Sequence, residues 1–259
     1  MLLAADVGNT EITLGLFQGD RLNSHWRLTT EVTRTPDEWA VILTSFLTHA
    51  GHSTHEVRAA VQASVAPAVT EVLSEGIELA LGFSPVRVGP ESRLPIVLSV
   101  DEPRTVGADR VVNTLAAKEL FARDVIIVDF GTATTFDCIT KDGTFLGGVI
   151  APGLQTAAEH LTERAAKLPA TELVPPERAI GRRTEECIRA GVLFGAADAV
   201  DGIVRRIKAE WPTDDTPSVI ATGGLADMLS SLCGEIETVE PNLTLVGLRI
   251  AAQHLGLEW

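Results

Sequence analysis

The sequence predicts an α/β fold built from two copies of one domain, residues 1–122 and 123–259, each a mixed sheet flanked by helices, with a cleft between them. Three observations carry this. An apolar strand that ends in Asp-x-Gly and folds back as a hairpin occurs twice, at Asp6-Val7-Gly8 and at Asp129-Phe130-Gly131. Helical patterns follow both hairpins, so strands and helices are mixed along the chain. No low-complexity segment separates the halves, as in a duplicated unit within one chain.

Taken in order, LLAAD is a strand that ends at Asp6, and ITLGLF alternates apolar with small or polar residues up to the turn Gly19-Asp20. RLNSHWRLTT completes a meander over residues 2–30. Thr35-Pro36-Asp37-Glu38 is a capping box with proline at the first helical position, and it opens a helix to about His49. VRAAVQAS reads as a strand, Pro67 to Leu81 as a helix, PVRVG as a short strand, and the stretch from Pro103 through GADRVVNTLAAKEL as a helix. VIIVDFGTATTFDCITKDGTFLGG then repeats the opening. Asp6 matches Asp129 and Gly8 matches Gly131 at an offset of 123 residues. Beyond the glycine an offset of 124 aligns Thr10 with Thr134, Ile12 with Phe136, Gly19 with Gly143 and Leu22 with Leu146, so the second loop is expected to be one residue longer. GLQTAAEHLTERAAKL, TEECIRAGVLFGAADAVDGIVRRIKAE and LTLVGLRIAAQHLG read as helices, with PSVIATGG a strand and turn.

The bulk composition narrows the function classes. A net charge of −14 argues against wrapping nucleic acid. No apolar run reaches the roughly 20 residues of a membrane span, and MLLAADVGNT has no basic n-region, so no membrane role and no signal peptide are expected. Cys138, Cys187 and Cys233 are scattered and form no CxxC pair, which fits a reducing cytoplasm. His49, His52 and His55 lie where a helix runs into a loop, without a carboxylate or cysteine cluster.

The repeated unit points to phosphate chemistry. A tight glycine turn after a strand presents backbone N–H groups to an anion. The preceding Asp cannot meet phosphate without repulsion, but it can hold Mg²⁺ through water. Two such units facing each other would clamp a polyphosphate, and phosphoryl transfer needs little beyond positioning, a cation and a base. Neither GxxxxGK[ST] nor a GxGxxG after a strand is present. In ATGGLA, Gly223 and Gly224 would let backbone lie against an adenosine, or they simply turn the chain from strand to helix. In TVGADRVVN, Gly107 leaves room and Asp109 stands in the first turns of a helix. It is expected to be hydrogen-bonded and ionised, as a general base must be. Arg110 beside it offers a planar fork for an anion; dipole compensation by an ordinary surface pair is the alternative.

DVGNT at 6–10, GADR at 107–110, DFGTATTFD at 129–137, GGVIAPGL at 147–154 and GRRTEECIRAG at 181–191 occur in an order that resembles the type III pantothenate kinases, over essentially the whole chain. The resemblance implies the actin-like superfold of sugar kinases and heat-shock ATPases, two duplicated ribonuclease H-like domains around a nucleotide cleft. It implies ATP-dependent phosphorylation of the primary hydroxyl of pantothenate, the first step of coenzyme A synthesis. Asp6, Val7, Gly8, Asn9, Thr10, Glu11, Ile12, Thr13 and Thr132 would contact ATP, with Asp6 near Mg²⁺. Gly107, Ala108, Asp109, Arg110 and Thr184 would line the pantothenate pocket, with Asp109 the proton acceptor. Asp129 would bind a monovalent cation, K⁺ or NH₄⁺. A homodimer with the substrate pocket near its interface is also implied. Two positions depart from the family pattern: Val100 precedes Asp101-Glu102-Pro103 where an aromatic residue, commonly Tyr, is usual, and Arg183 replaces an Asn. Another small-molecule phosphotransferase of the same superfold and a non-catalytic regulatory relative are the alternative readings.

Overall fold

The run Leu2-Leu3-Ala4-Ala5 has no polar side chain to turn toward water, and it forms a strand covered on both faces, β1 (Leu2–Val7). The computed structural model describes residues 1–259. Around β1 stand β2 (Glu11–Gln18), β3 (Arg21–Thr29), β4 (Ala59–Ser64) and β5 (Val86–Val88), in the order β3-β2-β1-β4-β5. The hairpin strands pair antiparallel and β4 and β5 parallel, so the sheet is mixed. One face, with Leu3, Ala5, Val7, Leu14 and Leu16, packs on α1 (Pro36–His49) and α2 (Pro67–Leu81). The expected capping box opens α1: the Thr35 hydroxyl accepts from the Glu38 N–H, and the Glu38 carboxylate accepts from the Thr35 N–H.

The other face carries Leu2, Ala4, Phe17, Val61 and Ala63. A two-residue strand, β6 (Val97–Leu98), and a short 3-10 turn at Pro103–Thr105 lead into α3 (Ala108–Phe121), which covers this face. The helix expected from Pro103 therefore starts five residues later. Pro103 opens only the 3-10 turn, and the chain leaves helical geometry at Val106 before α3 begins.

The second half repeats the plan with β7 (Val125–Phe130), β8 (Ala133–Ile139), β9 (Thr144–Pro152), β10 (Ser218–Thr222) and β11 (Thr238–Val239), ordered β11-β10-β7-β8-β9. Leu154 of α4 (Leu154–Arg164), Leu193, Ala197 and Val200 of α5 (Thr184–Ala209), and Leu229 of α6 (Ala226–Ser230) pack with Ile126, Val128 and Val219 of this sheet. Residues 165–183 contain no helix or strand, so the helix expected through AAKL ends at Arg164. The last helix is α7 (Leu243–His254). No helix is long and apolar enough to cross a membrane.

The chain divides into two compact units, 1–119 with 243–259, and 120–242. A single cut at 122/123 leaves α7 on the wrong side. Its Leu245, Leu248 and Ala251 complete the core of the first sheet beside Ala108, Val112 and Leu115 of α3. An apolar helix face records that it is buried, not which sheet buries it.

The duplication itself is visible in the backbone. β1 and β7 are buried at every position except Asp6 and Asp129. Asp6 faces Thr13 and Asp129 faces Thr135 across the hairpin. A β-bulge falls at the same place in both meanders, beside Leu16/Phe17 and beside Cys138/Ile139. These pairs put the second strands at an offset of 122, so the loop after Gly131 is one residue shorter than the loop after Gly8, not longer. Gly8 N–H reaches back to the carbonyl of Glu11, and Gly131 N–H to that of Ala133. Offsets of 124 and 122 differ by two, one full side-chain period of a strand, so both align buried with buried residues.

The seat of α3 depends on α7. A Cβ on Gly247 would overlap the Val112 carbonyl oxygen, and the Thr244 hydroxyl donates to Asn113 Oδ1 at 2.9 Å. Gly247→Ala is therefore expected to destabilise the protein by about 1–3 kcal/mol, the usual range for overpacking a tight contact. Its denaturant midpoint should fall; an unchanged midpoint would show that the two helices separate without cost.

Candidate active site

Residues directly opposite each other in a sheet point to the same face. Asp6 faces Thr13 on β2 and Ala63 on β4, and Thr13 in turn faces Arg27 on β3. Asp6, Thr13 and Arg27 therefore share the face on which Leu2 and Ala4 meet α3 and α7. Toward the loop end the apolar side chains give way to this polar row. Val7 and Ile12 point the other way and are fully buried, so they serve the loop through their backbones only.

The loop after β1 is closed by Gly8 N–H donating to the Glu11 carbonyl at 2.9 Å. A Cβ on Gly8 would lie 2.8 Å from that oxygen, which explains the glycine. Thr30, just beyond β3, ties the loop from the side: its hydroxyl donates to the Gly8 carbonyl at 2.7 Å and its N–H to the Thr10 carbonyl at 2.9 Å. Asn9 and Thr10 stay exposed. The Glu11 carboxylate is taken by Arg27, whose Nε donates to it at 2.6 Å. Of the predicted loop contacts, Glu11 thus offers a backbone and an ion pair rather than a free carboxylate.

Asp109 reaches the same region from α3. Val65 extends β4 by one residue, its N–H donating to the Val7 carbonyl at 3.0 Å. A Cβ on Gly107 would lie 3.3 Å from Val65 Cγ1 and would overlap Asp109 Oδ1. The carboxylate thus occupies the space that any larger residue at 107 would fill, against the end of the strand next to β1. Burial pushes the Asp109 carboxyl above its ordinary value, and the Arg110 N–H, 2.8 Å away, and the Arg110 charge oppose this without cancelling it. The expected hydrogen bond is present, but burial outweighs it. Ala108 is buried in the core of the face and contributes no polar group.

The second unit builds a related corner. Asp129 faces Thr135 on β8 and Thr222 on β10. Gly223 follows with φ +92°, and a Cβ there would overlap Asp129 Oδ1 and lie 2.8 Å from the Phe130 nitrogen. The loop at 131–132 rests on the start of α4: a Cβ on Gly153 would lie 2.6 Å from the Gly131 carbonyl, and the Thr156 hydroxyl donates to the Thr132 carbonyl at 2.8 Å. Asp129, Thr132 and Gly223 thus meet at one end of this sheet, with Gly224 exposed beside them. Gly153 was not among the predicted site residues, although its place in APGL before a helix is the signal that marks it. Thr184 opens α5 on an exposed turn after Arg183. No hydrogen bond joins it to that corner. Glu186, two residues on, accepts from the Arg182 N–H, and that bond with Arg178 and Arg183 holds its carboxyl below the usual range.

No group of three or more His, Cys, Asp or Glu side chains forms a metal cage. A hard cation that keeps its water and leans on one carboxylate and a phosphate suits such a donor set, and that is how Mg²⁺ is usually held.

Comparison with known proteins identifies the family and the fold. The profile of the type III pantothenate kinases matches residues 2–206. A type III pantothenate kinase from Moorella thermoacetica is 46% identical over 254 residues, covering 98% of this chain and 99% of its own. Among solved structures, component A of (R)-2-hydroxyglutaryl-CoA dehydratase from Acidaminococcus fermentans superposes with a TM-score of 0.56 at 15% identity, covering 98% of this chain and 96% of its own. The ROK hexokinase from Thermus thermophilus gives 0.51 at 15% identity, covering 98% and 99%. At that identity they show the fold alone, the actin-like arrangement of two mixed sheets flanked by helices. The profile match and the full-length relative together establish that the chain belongs to the type III pantothenate kinase family.

Proposed function

We propose that this chain transfers the terminal phosphoryl group of ATP to the primary hydroxyl of pantothenate, the step that opens coenzyme A synthesis. The observation that carries the mechanism is the Asp109 carboxylate, half-buried against Gly107 on the same face as Asp6. A carboxylate pushed upward by burial is, in its ionised form, a better proton acceptor than an ordinary one. The pantothenate oxygen attacks the terminal phosphorus, its proton passes to Asp109, and the bond from that phosphorus to the bridging oxygen breaks to release ADP. Arg110, Gly107 and Thr184 are read as the acceptor's contacts, with Arg110 suited to the pantothenate carboxylate.

On this reading the Gly8–Thr10 loop carries the phosphates, with Asp6 and Thr13 beneath it. Asp6 would hold Mg²⁺ through water, and the cation supplies charge neutralisation on the phosphate oxygens. Asp129, framed by Gly223 and Thr135, would hold K⁺ or NH₄⁺, and Thr132 with the backbone of Gly223 and Gly224 would meet the nucleotide. A homodimer and a cytoplasmic setting complete the reading. The three cysteines are all free, which suits a reducing compartment.

Asp109→Asn should lower kcat by about 10²–10⁴-fold, the usual weight of a general base. The linkage has a definite sign. A carboxyl whose folded pKa is raised contributes stability below its unfolded value and loses it as pH rises through the folded value. Above that folded value the charged Asp109 costs stability, and there the variant should melt at the same temperature as the parent or higher. Near-parental turnover would remove Asp109 from the chemistry.

In the parent, turnover should fall on acidification through a pKa above the ordinary aspartate 3.8. A pH–rate profile whose acid limb sits at 3.8 or lower would contradict the buried-base assignment. Replacing K⁺ by Na⁺ should lower the rate, and Asp129→Asn should abolish the difference between the two ions. Equal parental rates in both buffers would end the cation role of Asp129.

A further inference from the structure

Residues 6–13, read above as the phosphate loop and its flanks, contain no basic side chain, and the chain has no P-loop lysine. A triphosphate seated there meets a carboxylate at Asp6 and another at Glu11. Neighbouring strands of a sheet lie about 4.8 Å apart, so Arg27, two strands from Asp6 on the same row, stands roughly 10 Å away along the sheet. A side chain and a phosphate group together span that gap. Arg27 is brought there by the bulge in the first meander: Phe17 faces Leu22 but Leu16 faces Ser24, so Asn23 is the extra residue. Without it Trp26 would stand opposite Thr13. With it, Trp26 turns to the other face and stacks on Phe46 of α1, with ring centroids 5.4 Å apart, and Arg27 turns to the face of Asp6.

The guanidinium is oriented but not used up. Its Nε donates to Glu11 Oε1 at 2.6 Å, and both Nη groups remain open, on a side chain that is 52% exposed. Glu11 is itself fixed, since its carbonyl closes the Gly8 turn. Arginine suits this arrangement because one edge of its planar fork can be held by a carboxylate while the other meets a phosphate. An exposed ion pair this simple contributes little to folding, so stability gives a weak reason for its placement.

We propose that Arg27, steered by Glu11, is a nucleotide-binding residue whose Nη groups meet the terminal phosphate of ATP. This rests on the reading that residues 6–13 receive the phosphates, and it adds a protein cation to that site.

The test is titration of the full-length protein with ATP and with ADP in the presence of Mg²⁺, for the parent and Arg27→Ala, with steady-state kinetics alongside. Arg27→Ala should weaken ATP by about ten- to hundredfold, as loss of a charged hydrogen bond does. ADP affinity and the KM for pantothenate should stay close to parental, while the KM for ATP rises. Arg27→Lys should recover part of the loss. Arg205→Ala, which removes another exposed ion pair, with Glu235 at 3.6 Å, should leave both titrations unchanged. Equal losses for ATP and ADP, or no loss for either, would overturn the assignment to the terminal phosphate. If Arg27→Ala does not fold, Arg27→Gln, which keeps most of the stem, gives the same comparison. A protein that binds ATP through Arg27 but leaves pantothenate unmodified would sink the kinase reading and leave this one standing.

Discussion

A carboxylate at the end of a strand buried on both faces is the constraint around which both halves are organised. Every other position of β1 and β7 is removed from water, so a charged group is tolerated only where the sheet stops and the chain turns. Parallel pairing to β4 in one unit and to β10 in the other sets what lies beside it: the Val65 backbone follows β4 and Gly223 follows β10. From that placement the rest follows. The loops must be glycine-led because their N–H groups fold back onto carbonyls two or three residues on. The polar row is confined to one end of a sheet whose remainder is core.

Asp109 adds a second demand, because its carboxylate comes from a helix rather than a strand. It must be close enough to the sheet to lose water, yet keep a donor. Arg110 N–H is that donor, and the missing Cβ at Gly107 is what lets the carboxylate in. Its position then depends on where α3 sits, and α3 is seated by the chain's last helix through Gly247 and Thr244. Asp109 is thereby coupled to residues more than 100 positions away in sequence, which is why α7 belongs to the first unit.

Much of this was legible in the sequence for a physical reason: strand ends, capping boxes and glycine turns are local. The Thr35 box, the paired Asp-x-Gly turns and the GADR segment all announce themselves within a few residues. What was not legible depends on register. The bulges at Asn23 and beside Cys138/Ile139 shift each third strand by one residue, and a one-residue shift exchanges its faces. Arg27 was invisible as a site candidate on that account. The loop-length error has the opposite origin: a slip of two preserves the faces, so hydrophobic pattern cannot detect it. Burial of Asp109 was also hidden, since Val65 and Gly107 lie far apart in sequence and nothing local shows that they touch.

The two units have the same frame but hold their loops differently, and the difference bears on their roles. In the first unit Thr30 ties the longer loop to the edge of its own meander, leaving Asn9 and Thr10 outward beside an arginine. In the second the shorter loop is braced by Gly153 and Thr156 at the start of α4, and Asp129 is closed in by Gly223. The first arrangement is open and has a cation at hand, which suits an anion that must come and go. The second is tight around one carboxylate, which suits a small ion held in place. One residue more in the first loop and a helix start under the second are what separate the two arrangements.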